Sequence, residues 1–305
     1  MKQTGKYLIV IAGPTGVGKT AVSLELAKRF DTEIVNADSR QIYKELNIGT
    51  AKPSKAQLNT VKHHFVNHIS IHDHFTAADF EEQSISLIND LFKDKTCVIL
   101  SGGTGFYIKS VLEGLDEMPA VDKSFSEKLN QELQSGGIQK LQNELQAVDP
   151  DYYEKVDIQN PHRIIRALSI WRAHGITYSS LLTTPKKVRA FTPIKILLTL
   201  DRQALYDRIN QRVDLMINEG LEAEVKDLAE YSQLNALQTV GYQELFDAHE
   251  GKHSLTEAVE LIKRNTRRYA KRQMTWYRNQ EGWTAYSPAQ MLKLTKFIEE
   301  NIFKY

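Results

Sequence analysis

The chain has 305 residues, enough for more than one average domain and for a large core without covalent staples. Hydrophobic residues make up 41% and charged residues 25%, an ordinary globular balance, and 39 Lys and Arg against 38 Asp and Glu exclude a generally basic nucleic-acid binder. The single cysteine, Cys97, excludes a disulfide framework or a cysteine-based zinc cluster within one chain, and no apolar run is long enough for a membrane span. Met1 to Lys6 lead directly into an apolar segment without a cleavage pattern. We expect a cytoplasmic chain acting as a monomer, with no membrane partner.

Strand and helix patterns alternate through the first hundred residues. Tyr7 to Ala12 is a continuous apolar run, as in a strand buried on both faces. A glycine-rich turn follows, then helical spacing from Thr20 to Phe30. Glu33 to Ala37 reads as a second strand ending at Asp38, Phe80 to Phe92 as a helix, and Thr96 to Leu100 as a third strand running into Gly102-Gly103-Thr104-Gly105. Strands separated by helices require crossovers and a mostly parallel sheet. From Glu117 to Pro193 there are helical patterns but no strand, with Pro150, Pro161 and Pro185 as breakers. A strand resumes at Ile194 to Leu200, and long helices are expected from there to the C-terminus.

The fold expectation is α/β: a P-loop NTPase-like core with a mostly parallel sheet, plus an inserted all-helical domain. The core covers 1–116 and 193–305, its C-terminal part mainly helical, and the insertion covers 117–192.

Gly13-Pro14-Thr15-Gly16-Val17-Gly18-Lys19-Thr20 matches G-x-x-x-x-G-K-[ST] between a strand and a helix. Glycines let backbone N–H groups converge on phosphate oxygens, and the helix N-terminus adds its dipole. Lys19 supplies a point charge, and the Thr20 hydroxyl can ligate Mg²⁺. The strand Thr96–Leu100 lacks the carboxylate a nucleoside triphosphatase places at a strand end, so phosphate binding follows from the sequence and ATP binding does not. Asp38, at another strand end, reads as a base, a metal ligand or a cap. Thr104 and the loop should share its rim.

Lys263 to Arg278 holds seven Lys or Arg and no acid, fitting either a polyanionic partner or a solvated helix face. Its helix should begin with the capping box Ser254–Glu257, and Tyr269, Trp276 and Tyr277 read as core anchors before stacking platforms. Arg208 and Arg212 form an i,i+4 pair that reads either as part of an anion site or as a surface ion pair with Asp207, Asp214 or Glu219. His63, His64, His68, His72 and His74 have spacings compatible with metal binding, but the segment has no cysteine and we assign it no metal.

The segments GPTGVGKT (13–20), DSRQIY (38–43), IGTAKP (48–53), SGGT (101–104), NPHRIIRAL (160–168) and KRQMTW (271–276) together resemble the tRNA dimethylallyltransferase (tRNA isopentenyltransferase) family over nearly the whole chain. The resemblance implies transfer of a dimethylallyl group from dimethylallyl diphosphate to N6 of adenosine 37, beside the anticodon of tRNAs reading codons that begin with U. It implies that loop residues Gly13, Pro14, Thr15, Gly16, Val17, Gly18, Lys19 and Thr20 hold diphosphate rather than ATP, with Mg²⁺ assisting through Thr20. Asp38, Lys19 and Thr20 become the catalytic residues, with Asp38 as general base. Asp38, Ser39, Arg40, Gln41, Thr104, His162, Arg163, Ile164, Ile165 and Arg166 become tRNA contacts, and Arg212 a diphosphate or tRNA contact. Residue spacing alone also reads the 161–171 segment as an amphipathic helix with Ile164, Ile165, Leu168 and Trp171 as core, and both readings stand because the basic and apolar positions differ. Two departures are modest: Gly16-Val17 stands where many members have Ala-Ser, and Asp122–Leu129 offers Lys123 and Lys128 where some members have an arginine near Ser126. The rival readings are prenylation of free adenine nucleotides, a small-molecule kinase, and a non-catalytic RNA binder with an inert loop.

Overall fold

The computed structural model describes residues 5–182 and 186–303. Met1–Thr4 and the breaker Pro185 lie outside the described residues. In chain order, β1 (Tyr7–Ala12), α1 (Lys19–Arg29), β2 (Ile34–Asn36), α2 (Lys55–Thr60), β3 (His63–His64), α3 (Ala77–Leu91), β4 (Cys97–Gly102) and α4 (Gly105–Glu113) come first. There follow α5 (Lys123–Gly136), α6 (Ile138–Val148), α7 (Pro150–Tyr153), α8 (Pro161–His174) and α9 (Tyr178–Leu181). The chain closes with β5 (Thr192–Leu198), α10 (Arg202–Asn218), α11 (Leu221–Asp227), α12 (Tyr242–His249), α13 (Leu255–Arg278), β6 (Thr284–Tyr286) and α14 (Met291–Ile302).

Contacts divide the chain into two units, 1–113 with 188–305, and 114–187. In the first, the strands described form one parallel sheet of order β3-β2-β4-β1-β5-β6. Ala12 stands beside Gly102 on one side and Leu197 on the other, so β1, β4 and β5 end level. The apolar runs of β1 and β4 alternate between two core layers, as the pleat requires. Leu8, Val10, Val98 and Leu100 pack with α3 and α4 residues such as Phe80 and Ile108, whereas Ile9, Ile11 and Ile99 pack with α1 and α14 residues such as Leu26 and Ile298. Cys97 is a buried member of the second layer.

Strands β5 and β6 depart from the sequence expectation, and the two-residue edge strand β3 was not expected at all. The run expected as Ile194–Leu200 pairs as Thr192–Leu198, because Asp201 has turned away to accept the Gln203 and Ala204 N–H groups as the N-cap of α10. The C-terminal part is not purely helical: β6 extends the sheet beside β5, its three half-buried or exposed residues too few for a periodic signal.

The second unit is all-helical, α5 to α9, around Leu129, Leu141, Leu145, Ile164, Ile165, Ala167 and Leu168. Asn160 caps α8 by accepting the Arg163 N–H, and Pro161 occupies the first helical position, where its missing N–H costs nothing. Arg172 on α8 bridges Glu132 of α5 and Glu144 of α6. Ile164 and Ile165, counted above among tRNA contacts, are buried in this core, so their side chains face no solvent; His162, Arg163 and Arg166, on the remaining face of α8, are exposed. The spacing of an amphipathic helix separates the two sets.

Candidate active site

Parallel strands deliver their C-terminal ends to one edge, where ligands of open α/β sheets bind. The turn after β1 is the glycine loop, the turn after β2 carries Asp38, and the turn after β4 carries Thr104. They meet at a cleft of about 440 Å³ lined by Thr15, Gly16, Gly18, Lys19, Thr20, Asp38, Gln41, Thr50, Ala51, Arg208, Arg212 and Gln273 among others. It adjoins a second space of about 410 Å³ that shares Thr15, Asp38, Thr50, Ala51, Arg212 and Tyr269 and adds Ser39, Arg40 and Arg272. Val213, Met216, Leu221 and Ile262 of the core border this second space.

Gly18 enters α1 at φ +106°, a left-handed conformation that disfavours any side chain and turns the helix N-terminus into the cleft. Val17 and Pro14 belong to the scaffold: the Val17 side chain is fully buried, and the Pro14 and Gly13 carbonyls accept hydrogen bonds from the Lys19 ammonium at 3.0 and 2.9 Å. Burial pushes that ammonium down to about 8; Asp38 draws it back up and Arg212 depresses it further. Arg212 is half-buried, donates from Nη2 to the Thr15 hydroxyl at 2.6 Å, and leaves its buried Nε without a partner among the described residues. Burial lowers its pKa as well. The surface ion pair open to Arg212 on sequence grounds is not formed; the side chain turns into the cleft. Arg208, one turn earlier, donates to the Val17 carbonyl at 3.4 Å.

The turn 38–41 is tied down at every residue. Asp38 Oδ1 accepts the Arg40 N–H at 2.9 Å and the Gln41 N–H at 3.3 Å, so it is a turn cap, and Oδ2 is left for the cleft. Ser39 donates its N–H to the Thr104 hydroxyl at 3.0 Å. Arg40 Nη1 donates to the Asn235 and Ala236 carbonyls, and Gln41 Nε2 to the Thr50 and Ala51 carbonyls. Thr104 is thus a buttress of the Asp38 turn.

Sequence reasoning assigned Gln273 no role, yet it joins two of the three turns. Its Oε1 accepts the Thr15 N–H at 2.9 Å and its Nε2 donates to the Gly103 carbonyl at 2.8 Å. The available signal was a polar residue inside the buried stripe Ala258, Ile262, Thr266, Ala270, Gln273, Tyr277 of α13. Tyr277 is a core anchor as expected, whereas Tyr269 is 37% exposed and lines both spaces. Of the basic residues of α13, Lys263 pairs with Asp214 and Glu260 and Arg267 donates to Asn210, while Arg264, Arg268, Lys271, Arg272 and Arg278 are exposed. The five histidines diverge: His64 meets Glu33, His68 meets Gln83 and His72 packs edge-on against Tyr231. No cluster of three or more His, Cys, Asp or Glu that could hold a metal occurs among the described residues. No helix of the described residues is long and apolar enough to cross a membrane.

The structure is thus a parallel α/β protein with a glycine loop, a cation set and one carboxylate at a shared strand-end rim, an arrangement suited to an anionic ligand. Comparison with known proteins narrows the class. Residues 41–280 match the family model described as IPP transferase, and the chain belongs to that family. It is 50% identical to a tRNA dimethylallyltransferase of Christiangramia forsetii over 89% of this chain and 90% of the relative, and 45% identical to one of Flavobacterium johnsoniae over 97% and 98%. Among solved structures it resembles the tRNA isopentenylpyrophosphate transferase of Bacillus halodurans (TM-score 0.73, 33% identity, 98% and 97% of the two chains). It also resembles a eukaryotic dimethylallyltransferase acting on tRNA (TM-score 0.80, 27% identity, 98% and 79%).

Proposed function

We propose that the chain transfers the dimethylallyl group of dimethylallyl diphosphate to N6 of adenosine 37 in the tRNA anticodon stem-loop, releasing diphosphate, on tRNAs reading codons that begin with U. Membership of the family and the reaction named for its relatives support this reading. The observation that carries it is electrostatic: Lys19 and Arg212 are gathered at the loop with a single carboxylate, Asp38, facing them, and burial already strains both charges. A diphosphate would relieve that strain and pair the orphan Arg212 Nε.

The chemistry exchanges one bond for another. The N6–C1 bond forms as the C1–O bond to diphosphate breaks, and the N6 proton passes to Asp38 Oδ2. Lys19, Arg212 and the loop amides meet the negative charge that grows on the departing diphosphate. The Thr20 hydroxyl lines the cleft without a hydrogen-bond partner among the described residues, which fits a divalent cation held chiefly by phosphate oxygens and water. Mg²⁺ there would supply further charge neutralisation of the leaving group. Adenosine 37 must leave its stack to reach this cleft. The exposed His162, Arg163 and Arg166 and the exposed cations of α13 are the groups we assign to tRNA phosphates.

The test offers radiolabelled dimethylallyl diphosphate and Mg²⁺ to unmodified tRNA, to the same tRNA with A37 replaced, and to AMP. Label in the first alone is expected. Label in AMP alone moves the chain to nucleotide prenylation, and ATP turnover without prenyl transfer moves it to the kinase reading.

A further inference from the structure

Glu224, in the first turn of α11, does not line the cleft, yet it holds a segment that does. Its carboxylate accepts three consecutive backbone N–H groups: Asn47 and Gly49 at Oε1, 3.3 and 3.1 Å, and Ile48 at Oε2, 2.8 Å. The Tyr242 hydroxyl donates to the same Oε1 at 2.6 Å. Three of the four donors on this carboxylate are the N–H groups of 47–49, and together they fix the orientation of the turn 48–50. The fit leaves no room at Gly49, where an added Cβ would lie 2.5 Å from the fully buried Tyr242 ring.

What this turn carries is the floor of the cleft. Thr50 and Ala51 line both spaces beside Asp38 and Arg212, and Ala51 adopts a left-handed φ of +50° that persists only where its surroundings over-determine it. Their carbonyls receive the two hydrogen bonds of Gln41 Nε2, both 3.0 Å, and the Gln41 N–H is held by Asp38 Oδ1. A continuous path therefore runs from Glu224 through 47–51 and Gln41 to Asp38. The glycine loop has no part in it, being tied instead to Gln273 and Arg212.

We infer that Glu224 is a positioning residue of the transfer reaction: its carboxylate clamps the turn 47–50 and, through Gln41, sets the orientation of Asp38 toward the attacking amine. This rests on the function proposed above, and it separates the two halves of the cleft. Loss of the clamp misorients the base and leaves the diphosphate loop as it was. Displacement of a catalytic group by about 1 Å costs on the order of a hundred-fold in rate.

The experiment compares wild type with Glu224→Gln and Tyr242→Phe, below their measured melting temperatures, in three readouts: kcat and KM of transfer, diphosphate affinity, and peptide-resolved hydrogen exchange. Glu224→Gln keeps a carbonyl oxygen for Asn47, Gly49 and Tyr242 but turns an NH2 on the Ile48 N–H and removes the charge, which weakens the clamp; Tyr242→Phe removes one of four donors and keeps the ring. The expected result is a kcat about ten- to a hundred-fold lower for Glu224→Gln and a smaller fall for Tyr242→Phe, with diphosphate affinity within about two-fold of wild type. Faster exchange should reach 38–43 as well as 45–52. Unchanged kcat per folded molecule, or faster exchange confined to 45–52, overturns the proposal. If wild type itself transfers no dimethylallyl group, the proposed function falls, while the exchange measurement still decides whether Glu224 controls the Asp38 turn.

Discussion

Two turns at the same sheet edge, the glycine loop after β1 and the Asp38 turn after β2, are held in opposite ways. The glycine loop takes its shape mainly from its own eight residues, through left-handed glycines, an ammonium folded back on its own carbonyls and the start of the next helix, with outside ties at Thr15 to Gln273 and Arg212 and at Val17 to Arg208. The Asp38 turn is made by others: Thr104 from the β4 turn, Asn235 and Ala236 before α12, and Thr50 and Ala51, themselves held by Glu224. A loop that binds a leaving group can be local, since phosphate oxygens accept converging N–H groups from any phosphate-binding loop. A base must be aimed at one proton, and aiming takes distant supports.

That contrast predicts separable losses. Asp38→Ala removes base and cap together and should cut single-turnover transfer by about a thousand-fold with diphosphate affinity nearly unchanged; rapid-quench kinetics and calorimetry on one preparation check both. Lys19→Met should instead weaken diphosphate binding about ten- to a hundred-fold and slow transfer as well, since it deletes a charge-assisted bond in a desolvated site and a partner of the charge growing on the leaving group. Calorimetry with inorganic diphosphate would read the loss directly.

Gln273→Ala should touch both sides, because it leaves the Thr15 N–H and the Gly103 carbonyl unpaired. A melting temperature lower by several degrees and transfer reduced about ten-fold are expected, from roughly 1–3 kcal/mol per unsatisfied buried group. Arg166→Ala should weaken tRNA binding a few-fold and lower the slope of log affinity against log salt by about one; an unchanged slope would remove Arg166 from the phosphate contacts.

The smallest effect is a control on the scaffold. Burial pushes the Cys97 thiol up to about 11 from its ordinary 9.0, so the folded chain keeps the proton longer than the unfolded one. Cys97 should therefore contribute a loss of stability as pH rises from about 9 to 11, opposed by the buried Lys19 between about 8 and 10.5, and the difference between wild type and Cys97→Ala isolates that contribution. An aromatic disulfide reagent at mildly alkaline pH should label no thiol in the native protein and one in denaturant.

How much of this was legible in the sequence follows the same division. The glycine loop, the parallel core and the capped helix α8 are written in contiguous residues, and local rules recover them. The resemblance to the dimethylallyltransferases drew on six separated segments and reached the family that the comparisons establish. It assigned roles less finely than the structure. Ile164 and Ile165 entered the tRNA-contacting set because they sit in NPHRIIRAL, while the helical spacing read from the same residues put them in the core, where the structure has them. Gln273 and Glu224 were invisible because each acts on residues far along the chain, Thr15 and Asn47 to Gly49, and one sequence carries no record of such pairings. The edge strands β3 and β6 escaped notice because two or three residues show no period.

The most direct test of the division of labour is Asp38→Asn. The asparagine keeps an oxygen to accept the Arg40 and Gln41 N–H groups, so the turn survives while the base is lost. Single-turnover dimethylallyl transfer to tRNA should be slower by at least about a hundred-fold, with diphosphate affinity and hydrogen exchange of residues 38–43 as in wild type. A near-normal transfer rate in that variant would contradict a base at Asp38, and the proton would have to leave N6 by another route.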